Sequence, residues 1–373
     1  MVSVGKAAVP MARAAHEILG ERLTSGIVIA PAKAGPMART RTFVSGHPVP
    51  DAAGVRASRC VVELLEGAGQ GDVVLLLLSG GASALMPAPI DGVTLRDKQR
   101  VTGTLLRRGA TITELNAVRK RLSRLKGGGF ARLAAPARVF TLAISDVPGD
   151  DPGTIGSGPA IEDAAARASA LRALRRYFKG EDVAPGVARA LLRPMTKAPI
   201  AGRTLTVVIG SGRTFARAAA REAKTLGFCA LLRPDALRGE ARVCGPELVA
   251  KFEAARGRGP TCLIATGETV VNVRGKGRGG RNQELALSSL EALSRCSRPT
   301  VLAAFATDGR DGSSNASGGL VDDATARRAR ARGVSIQAML DRNDSGGALE
   351  RLGGLIVTGP TGTNVADVTV VVG

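Results

Sequence analysis

The stretch from Val73 to Ser83 reads VVLLLLSGGAS and joins a continuous apolar run to a turn of glycine and serine. Five further apolar runs also end at small or acidic residues: 139–144 before Ser145-Asp146, 205–209 before Gly210-Ser211-Gly212, 262–265 before Thr266-Gly267-Glu268, 300–306 before Thr307-Asp308-Gly309, and 355–357 before 358–364. Such runs are typical of strands buried on both faces of a parallel sheet. Because ligands bind beyond the carboxyl ends of these strands, the pattern predicts an α/β enzyme.

Amphipathic segments alternate with the apolar runs and predict helices over 7–19, 52–65, 95–108, 113–125, 164–177, 214–226, 241–255 and 283–293. This alternation predicts βα units and largely parallel sheets. Residues 180–202 are richer in proline and lysine, and we interpret them as a connection. The predicted domains are therefore 1–197 and 198–373.

The composition narrows the class of protein. The formal net charge is +20 and the pI is about 11.0, but aromatic residues make up only 2% of the chain. Nucleic-acid binding is therefore not favoured, because basic surfaces of that class are usually interleaved with aromatic side chains. No apolar run approaches the roughly 20 residues of a membrane helix. The five cysteines lack CxxC spacing and no apolar leader is evident, so we expect reduced thiols in a cytoplasmic protein.

The turn after the first quoted run is a candidate anion site. Glycines allow backbone NH groups to approach an anion closely, and serine hydroxyls add donors; the candidates are Ser79, Gly80, Gly81 and Ser83. The alternative is a tight strand-to-helix turn. Lys6 also lies at a predicted helix start, where its charge opposes the helix dipole unless an anion lies nearby; the alternative is a solvated lysine.

Two basic residues lie beside the apolar face of the helix predicted over 113–125. At about 100° per residue, that face is formed by leucine and valine side chains. Arg119 and Lys126 flank this face and are candidates to enter a pocket, whereas Lys120 and Arg124 are expected to point into solvent.

Carboxylates follow two of the predicted strands. Asp146 lies where a general base or a metal ligand would lie, and Asp308 could help to hold Mg²⁺ or simply cap its turn. The sequence does not decide which of the two binds the metal and which acts as the base.

A glycine-rich basic loop, GKGRGGRNQE at 275–284, leads directly into a predicted helix. Arg281 and the free NH groups of the helix start would suit a transferring phosphoryl group. Further candidates on this side are Gly267, Glu268, Gly279, Gly280 and Asn282. The alternative for the loop is a disordered linker.

Two other enzyme classes are poorly supported by the motifs. Gly210-Ser211-Gly212 begins a dinucleotide fingerprint, but Phe215 stands at its third glycine position. His16 and His47 are the only histidines, and neither has a serine or cysteine partner by motif, which argues against a hydrolase triad.

Taken together, these segments resemble the glycerate 2-kinase family whose C-terminal half is called the MOFRL domain. The matching stretches occur in family order at 4–8, 46–51, 79–85, 116–128, 145–159, 267–284, 307–319 and 358–367. Two positions depart from the family pattern. Ala82 replaces a usual glycine, which is tolerable unless φ there is positive, and Arg121 stands where histidine is common and cannot shuttle a proton.

The resemblance implies transfer of the γ-phosphoryl group of ATP to the 2-hydroxyl of D-glycerate, with Mg²⁺ as cofactor. It implies two three-layer α/β/α domains, the first Rossmann-like, with the active site in the cleft between them. The expected partner is a small-molecule substrate, with neither nucleic acid nor membrane, and the protein is expected to be a monomer or homodimer. The alternatives are an NAD(P)-dependent hydroxypyruvate reductase and a kinase of another small hydroxy acid.

For such a reaction, the roles of the candidate residues are hypotheses. Lys6 and Arg281 are expected to neutralise the transferring phosphoryl group from opposite domains. Asp146 is expected to orient or deprotonate the glycerate hydroxyl and Asp308 to bind Mg²⁺. Arg119 or Lys126 is expected to hold the glycerate carboxylate. The phosphate and nucleotide contacts are expected from Ser79, Gly80, Gly81, Ser83, Gly267, Glu268, Gly279, Gly280 and Asn282.

Overall fold

The computed structural model describes residues 1–163, 165–178, 183–193, 200 and 203–373. The chain divides into two compact units. The first comprises Met1–Ile144 and Asp150–Ile209, and the second comprises Ser145–Gly149 and Gly210–Gly373. The boundary therefore lies later than the predicted 197/198, and the short segment at 145–149 belongs to the second unit.

The first unit contains a six-stranded sheet. Its strands are β1 (Val2–Val4), β2 (Gly26–Ala30), β3 (Thr40–Val44), β4 (Val73–Leu78), β5 (Arg138–Ile144) and β6 (Thr204–Gly210), in the order β3-β2-β1-β4-β5-β6. β1 runs parallel to β2 and β4, β2 to β3, and β4 to β5. β6 lies beside β5 in this sheet, whereas the predicted boundary would have placed it in the second domain.

Helices cover both faces of this sheet. The helices of the first unit are α1 (Ala8–Leu19), α2 (Ala52–Glu66), α3 (Ala82–Leu85), α4 (Leu95–Arg107), α5 (Ile112–Arg121), α6 (Gly129–Leu133), α7 (Ala166–Tyr177) and α8 (Pro185–Leu192). Val28 and Leu77 pack with α1, and the alternate residues Ile27 and Leu76 are also buried. Since successive strand residues point to opposite faces, both faces of the sheet are covered at β2 and β4. The expectation that the run 205–209 is buried on both faces was wrong, because Leu205, Val207 and Ile209 of β6 are exposed.

A second core in the first unit is purely helical and was not predicted. It is formed by side chains of α4, α5, α7 and α8, including Leu105, Val118, Ala173 and Leu191. α8 lies within the stretch predicted to be a connection; the rest of that stretch lies largely outside the described residues. α5 ends four residues before the predicted Leu125, and Arg124 N then donates a hydrogen bond to Ala88 O at 2.8 Å.

The second unit contains a mixed six-stranded sheet. Its strands are β7 (Cys229–Leu232), β8 (Thr261–Gly267), β9 (Val301–Ala306), β10 (Gly318–Asp322), β11 (Leu355–Ile356) and β12 (Asp367–Val372), in the order β11-β10-β9-β12-β8-β7. β7, β8, β9 and β11 run in one direction. β10 and β12 run the opposite way, so only the β7–β8 pair is parallel in its hydrogen bonding.

The second unit has three layers. Its helices are α9 (Gly212–Thr225), α10 (Ala241–Ala255), α11 (Arg281–Ser288), α12 (Leu290–Leu293), α13 (Asp323–Ala331), α14 (Ile336–Asp341) and α15 (Ser345–Leu352). Cys262 and Ile264 of β8 pack with α9, whereas Leu263 and Ala265 pack with the remaining helices. The alternation along β8 therefore places helices on both faces, and the predicted α/β class is confirmed. No helix in the described part of the chain is long and apolar enough to span a membrane.

Candidate functional site

The Ser79 turn ties β4 to the junction between β1 and α1. Ser79 is fully buried, and its Oγ accepts a hydrogen bond from Ala7 N at 3.0 Å and donates one to Val4 O at 3.4 Å. The half-buried Lys6 donates its backbone NH to Gly80 O at 2.9 Å. The Ser79 hydroxyl is thus committed to two backbone groups, so Ser79 positions Lys6 rather than presenting a donor to an anion.

Gly81 belongs to the same turn as Ser79, and the side chain of His47 lies against it. Gly81 has φ +85°, and a Cβ atom there would lie 2.9 Å from His47 Cδ2, so both the conformation and the close approach require glycine. Ala82 begins the four-residue helix α3 and its φ is not positive, which explains why alanine is tolerated there. Sequence reasoning gave His47 no role, yet it forms part of the wall of a cavity.

This cavity, of about 520 Å³, lies within the first unit and carries a strongly basic lining. Its cationic side chains come from α4, α5 and the turn that follows α5; they are Lys98, Arg119 and Lys126. His47 and Ser83 also contribute to the wall, and no aspartate or glutamate is among the described residues that line it. The structure therefore brings the predicted pair Arg119 and Lys126 together in one pocket.

Lys126 is held in place by Ser83. Its Nζ donates to Ser83 O at 2.6 Å and to Ser83 Oγ at 2.7 Å, and Ser83 Oγ lies 3.1 Å from Ser157 Oγ. Burial lowers the pKa of Lys126 well below its usual value, and the charges of Lys98 and Arg119 lower it further. Burial and mutual repulsion thus destabilise the charged forms of these side chains, and a bound anion would stabilise them.

The neighbouring basic residues of α5 and of the turn after it do not line this cavity. Lys120 forms an ion pair with Asp163 at 2.6 Å and is only 9% exposed, so the expectation that it is solvated was wrong. Arg124 pairs with Glu66 at 2.7 Å. Arg121 donates to the carbonyl oxygens of Ala190 and Arg193, which gives it a structural role between α5 and α8.

In the second unit, Arg281 is bound by two carboxylates. Its Nε and Nη2 donate to Asp367 at 2.5 and 3.1 Å, and its Nη1 lies 2.6 Å from Glu268 Oε1. Burial alone would lower the pKa of Arg281, but the hydrogen bond and charge of Asp367, followed by Glu268, raise it. Asp367 is 8% exposed and Glu268 is 44% exposed, so Asp367 is the fixed partner and Glu268 the accessible one.

Asp146 belongs to the same group of side chains. Its Oδ2 accepts a hydrogen bond from Asn364 Nδ2 at 2.9 Å, and Asn364 Oδ1 accepts one from Ala366 N at 3.2 Å. The pKa of Glu268 is raised by desolvation and by the charges of Asp367 and Asp146, which outweigh Arg281. We call these five residues, Asp146, Glu268, Arg281, Asn364 and Asp367, the Arg281 cluster.

The amino terminus of α11 is not free, contrary to the sequence prediction. The carboxylate of Asp311, which is 2% exposed, accepts hydrogen bonds from Asn282 N at 3.2 Å and Gln283 N at 2.8 Å, and from both side-chain amides. Asn282 is itself buried, so it positions the helix and does not face a phosphate. A Cβ atom on Gly280 would lie 2.4 Å from the Asp311 carboxylate, which explains the glycine.

Replacing Asp311 with alanine is expected to lower the free energy of unfolding by about 1–3 kcal/mol, because buried NH donors would lose their acceptor. Asp322→Ala, which removes the ordinary cap of α13, is the matched comparison and is expected to cost about 1 kcal/mol. Urea unfolding of both variants measures the difference. An Asp311→Ala loss no larger than that of Asp322→Ala would contradict this account of α11.

The glycine-rich loop before α11 is ordered by its neighbours, so it is not a disordered linker. Asn343 Oδ1 accepts hydrogen bonds from Arg274 N at 2.6 Å and Gly275 N at 2.9 Å, and Asp344 Oδ1 accepts one from Arg278 N at 3.1 Å. The two remaining glycine candidates serve close packing: Gly279 lies against Ser345, and Gly267 against Leu237.

Asp308 follows β9, and its Oδ1 accepts a hydrogen bond from Arg310 N at 3.1 Å. Within the described ranges, no three or more histidine, cysteine or acidic side chains are grouped to hold a metal ion. Mg²⁺ is usually bound by one or two carboxylates together with substrate phosphates, so a single carboxylate at a strand end fits that mode.

The partial dinucleotide fingerprint forms the capped start of α9. Ser211 Oγ accepts a hydrogen bond from Thr214 N at 3.4 Å, and the Phe215 ring packs edge-to-face on Phe305 with centroids 6.4 Å apart. The third glycine of a true fingerprint allows close helix–strand packing. The aromatic side chain of Phe215 occupies that position instead.

Besides His47, sequence reasoning missed four residues of these groups. Lys98 lies on α4 three and seven positions before Val101 and Leu105, and all three are buried. The sequence pattern could have identified Lys98, because it occupies a position in the apolar face of the predicted helix. Asp367, at the start of an otherwise apolar strand, gave a similar signal. Nothing local marked Asn364 or Asp311, whose partners are distant in the sequence.

Comparisons with known proteins agree with this picture. A family model described as Domain of unknown function (DUF4147) matches residues 1–192, and one described as MOFRL family matches residues 261–367. The chain is 41% identical to a D-glycerate 2-kinase of Thermotoga maritima over 99% of its own length and 89% of the relative's. A putative hydroxypyruvate reductase of Agrobacterium vitis is 40% identical over 99% of the chain and 85% of that protein.

A solved structure agrees as well. The crystal structure of a glycerate kinase from Thermotoga maritima superimposes with a TM-score of 0.92 at 41% identity, covering 99% of this chain and 90% of that one. Both sequence and fold are therefore shared along almost the whole length. The protein belongs to the glycerate kinase family and carries the DUF4147 and MOFRL domains.

Proposed function

We propose that the protein is a D-glycerate 2-kinase, which transfers the γ-phosphoryl group of ATP to the 2-hydroxyl of D-glycerate and releases ADP. The observation that carries the proposal is its similarity, over nearly its full length, to the Thermotoga maritima protein of that name. The basic cavity of the first unit and the Arg281 cluster of the second supply the groups that such a reaction needs. We further propose that the protein acts in the cytoplasm.

Arg119 and Lys126 bind the glycerate carboxylate in this proposal. Their charges lie in a cavity without an acidic residue in its described lining, so an incoming carboxylate meets no repulsion. Ser83 fixes the Lys126 ammonium through two hydrogen bonds. A positioned cation orients the acceptor at little entropic cost, and this orientation is a main source of rate enhancement in phosphoryl transfer.

Arg281 stabilises the negative charge of the transferring phosphoryl group, and Lys6 provides a second cation. Asp367 keeps the guanidinium plane fixed by a two-point contact. Glu268 is the accessible partner with a raised pKa, so it is the carboxylate that gives up Arg281 Nη1 to a phosphoryl oxygen.

Asp146 orients the glycerate 2-hydroxyl and accepts its proton as the new O–P bond forms. The hydrogen bond from Asn364 Nδ2 holds Oδ2 of Asp146 in place, which also fixes the orientation of the whole carboxylate. Asp308 would hold Mg²⁺ together with the nucleotide phosphates, and the ion would supply charge neutralisation to the leaving group. Gly81, Gly267, Gly279 and Gly280 keep the backbone of the surrounding turns closely packed, and Gly80 O accepts the backbone NH of Lys6.

The second candidate function is an NAD(P)-dependent hydroxypyruvate reductase, because one relative carries that name as a putative assignment. The packing of Phe215 on Phe305 favours the kinase, since it fills the position at which a dinucleotide fingerprint requires glycine.

The kinase proposal predicts that ADP forms from ATP only when D-glycerate is present, and that NADPH absorbance stays constant with hydroxypyruvate. A coupled assay for ADP measures the first reaction, with glycolate and D-lactate as comparison acceptors. NADPH consumption without ADP formation would contradict the kinase and support the hydroxypyruvate reductase. Equal rates of ADP formation with D-lactate and D-glycerate would indicate that the natural acceptor is another hydroxy acid.

A further inference from the structure

Lys98 is a buried cation with no hydrogen-bond partner in the described part of the chain. It lies on α4, whose other buried residues are Val101 and Leu105; it is 7% exposed, and its Nζ is shielded from solvent. Burying an ammonium group without a partner is costly, because the group loses its hydration and gains nothing in return. A functional reason is therefore needed for lysine at this position.

The titratable groups that share a cavity with Lys98 are all basic. They are Arg119 from α5, Lys126 from the turn after α5, and His47 from the segment that follows β3, and they line the same cavity. The charges of Lys98 and Arg119 both act on Lys126. Three cations in one cavity can donate hydrogen bonds to the two oxygens of a carboxylate and to a neighbouring hydroxyl oxygen, or to the oxygens of a doubly charged phosphoryl group.

We infer that Lys98, Arg119 and Lys126 form one oxyanion pocket, and that Lys98 is a further binding residue for the oxyanion held there. The ligand chemistry is a small carboxylate or phosphoryl group whose oxygens accept hydrogen bonds from these side chains. The inference rests on the proposed function only in naming D-glycerate as the source of the carboxylate.

The protonation of Lys98 supports this arrangement. Burial, followed by the charge of Arg119, lowers the pKa of Lys98 to about 8. The lysine is thus only partly protonated near that pH, and a bound oxyanion favours the charged form. Binding should therefore be accompanied by proton uptake, and it should weaken as the pH rises above about 8.

Calorimetric titration of D-glycerate, and separately of inorganic phosphate, into the wild-type protein and Lys98→Met tests the inference. Lys98→Met is expected to weaken binding by about 10- to 100-fold, as for loss of a hydrogen bond to a charged group. Lys98→Arg keeps the cation and is expected to retain most of the affinity. Lys33→Met, at an exposed position of the same unit, is the matched control and should bind like the wild type.

Thermal unfolding without an added oxyanion separates binding from a structural role. The folded pKa of about 8 lies below the usual 10.5, so the folded protein binds fewer protons than the unfolded chain between these values. Its stability therefore rises with pH across that window, and below it the full cost of the buried charge applies. Lys98→Met should raise the melting temperature at neutral pH and reduce the rise between pH 8 and 10.5.

Four outcomes would overturn or support the inference. Lys98→Met binding both anions like the wild type, or a lowered melting temperature of that variant, would overturn it. Binding of neither anion by the wild type would also overturn it. Binding of phosphate alone, lost in Lys98→Met, would support the pocket but remove D-glycerate from it, so failure of the proposed function is distinguished from failure of the inference.

Discussion

Arg281→Ala is expected to lower kcat by about 100- to 1,000-fold, equivalent to about 2.7–4 kcal/mol of transition-state stabilisation. The reason is that Arg281 is a preorganised donor, with two of its nitrogens fixed by the buried Asp367 and the third bound to the accessible Glu268. Steady-state kinetics with ATP and D-glycerate measure the loss. Arg281→Lys should recover little, because a lysine cannot reproduce the two-point contact.

Arg278→Ala is the matched control for this prediction. Arg278 lies on the same glycine-rich loop, but its side chain is 62% exposed and pairs with Glu350. Its removal should leave kcat within about 2-fold of the wild type, as for most exposed ion pairs. If Arg281→Ala and Arg278→Ala lost the same amount of activity, the role of Arg281 in phosphoryl transfer would be wrong.

Asp146→Asn is expected to lower kcat by about 100- to 10,000-fold, the usual contribution of a positioned proton acceptor. The amide keeps the size of the side chain but cannot take the proton of the 2-hydroxyl. The KM for D-glycerate should change much less than kcat, because Asp146 acts on the hydroxyl while the carboxylate is held elsewhere.

Asp150→Asn is the matched control for Asp146→Asn. Asp150 lies four residues later in the same loop with φ +57°, a conformation that asparagine tolerates, so this change should leave kcat nearly unaltered. Wild-type turnover by Asp146→Asn would show that another group accepts the proton.

The sequence predicted six of the twelve described strands, namely β4, β5, β6, β8, β9 and β11, because each coincides with an apolar run that ends sharply. The strands β1, β2, β3, β7, β10 and β12 were not identified from the sequence. The sequence also did not predict how the strands of the second unit pair. β12 comes last in the chain yet lies between β8 and β9, antiparallel to both. Alternation of helices and strands indicates an α/β class, but it carries no information on a strand that returns from the end of the chain to the middle of the sheet.

The candidate sites were predictable where the residues share one local element. Arg119 was found because helical geometry places it beside the apolar face of α5. Lys126 was found by the same argument, although the helix ends at Arg121 and Lys126 lies in the turn that follows. The prediction for the start of α11 was wrong because its NH groups bind Asp311, 28 residues beyond Gln283. Ser79 was misjudged for the same reason, since its partners Val4 and Ala7 lie more than 70 residues away. Long-range acceptors of this kind leave no local pattern.

The most direct test of the central claim is ³¹P NMR of the purified protein with ATP, Mg²⁺ and D-glycerate. The proposal predicts the resonances of ADP and 2-phospho-D-glycerate, formed in equal amounts. Formation of 3-phosphoglycerate would contradict the position of the reacting hydroxyl, and the absence of any phosphorylated glycerate would contradict the proposed function itself.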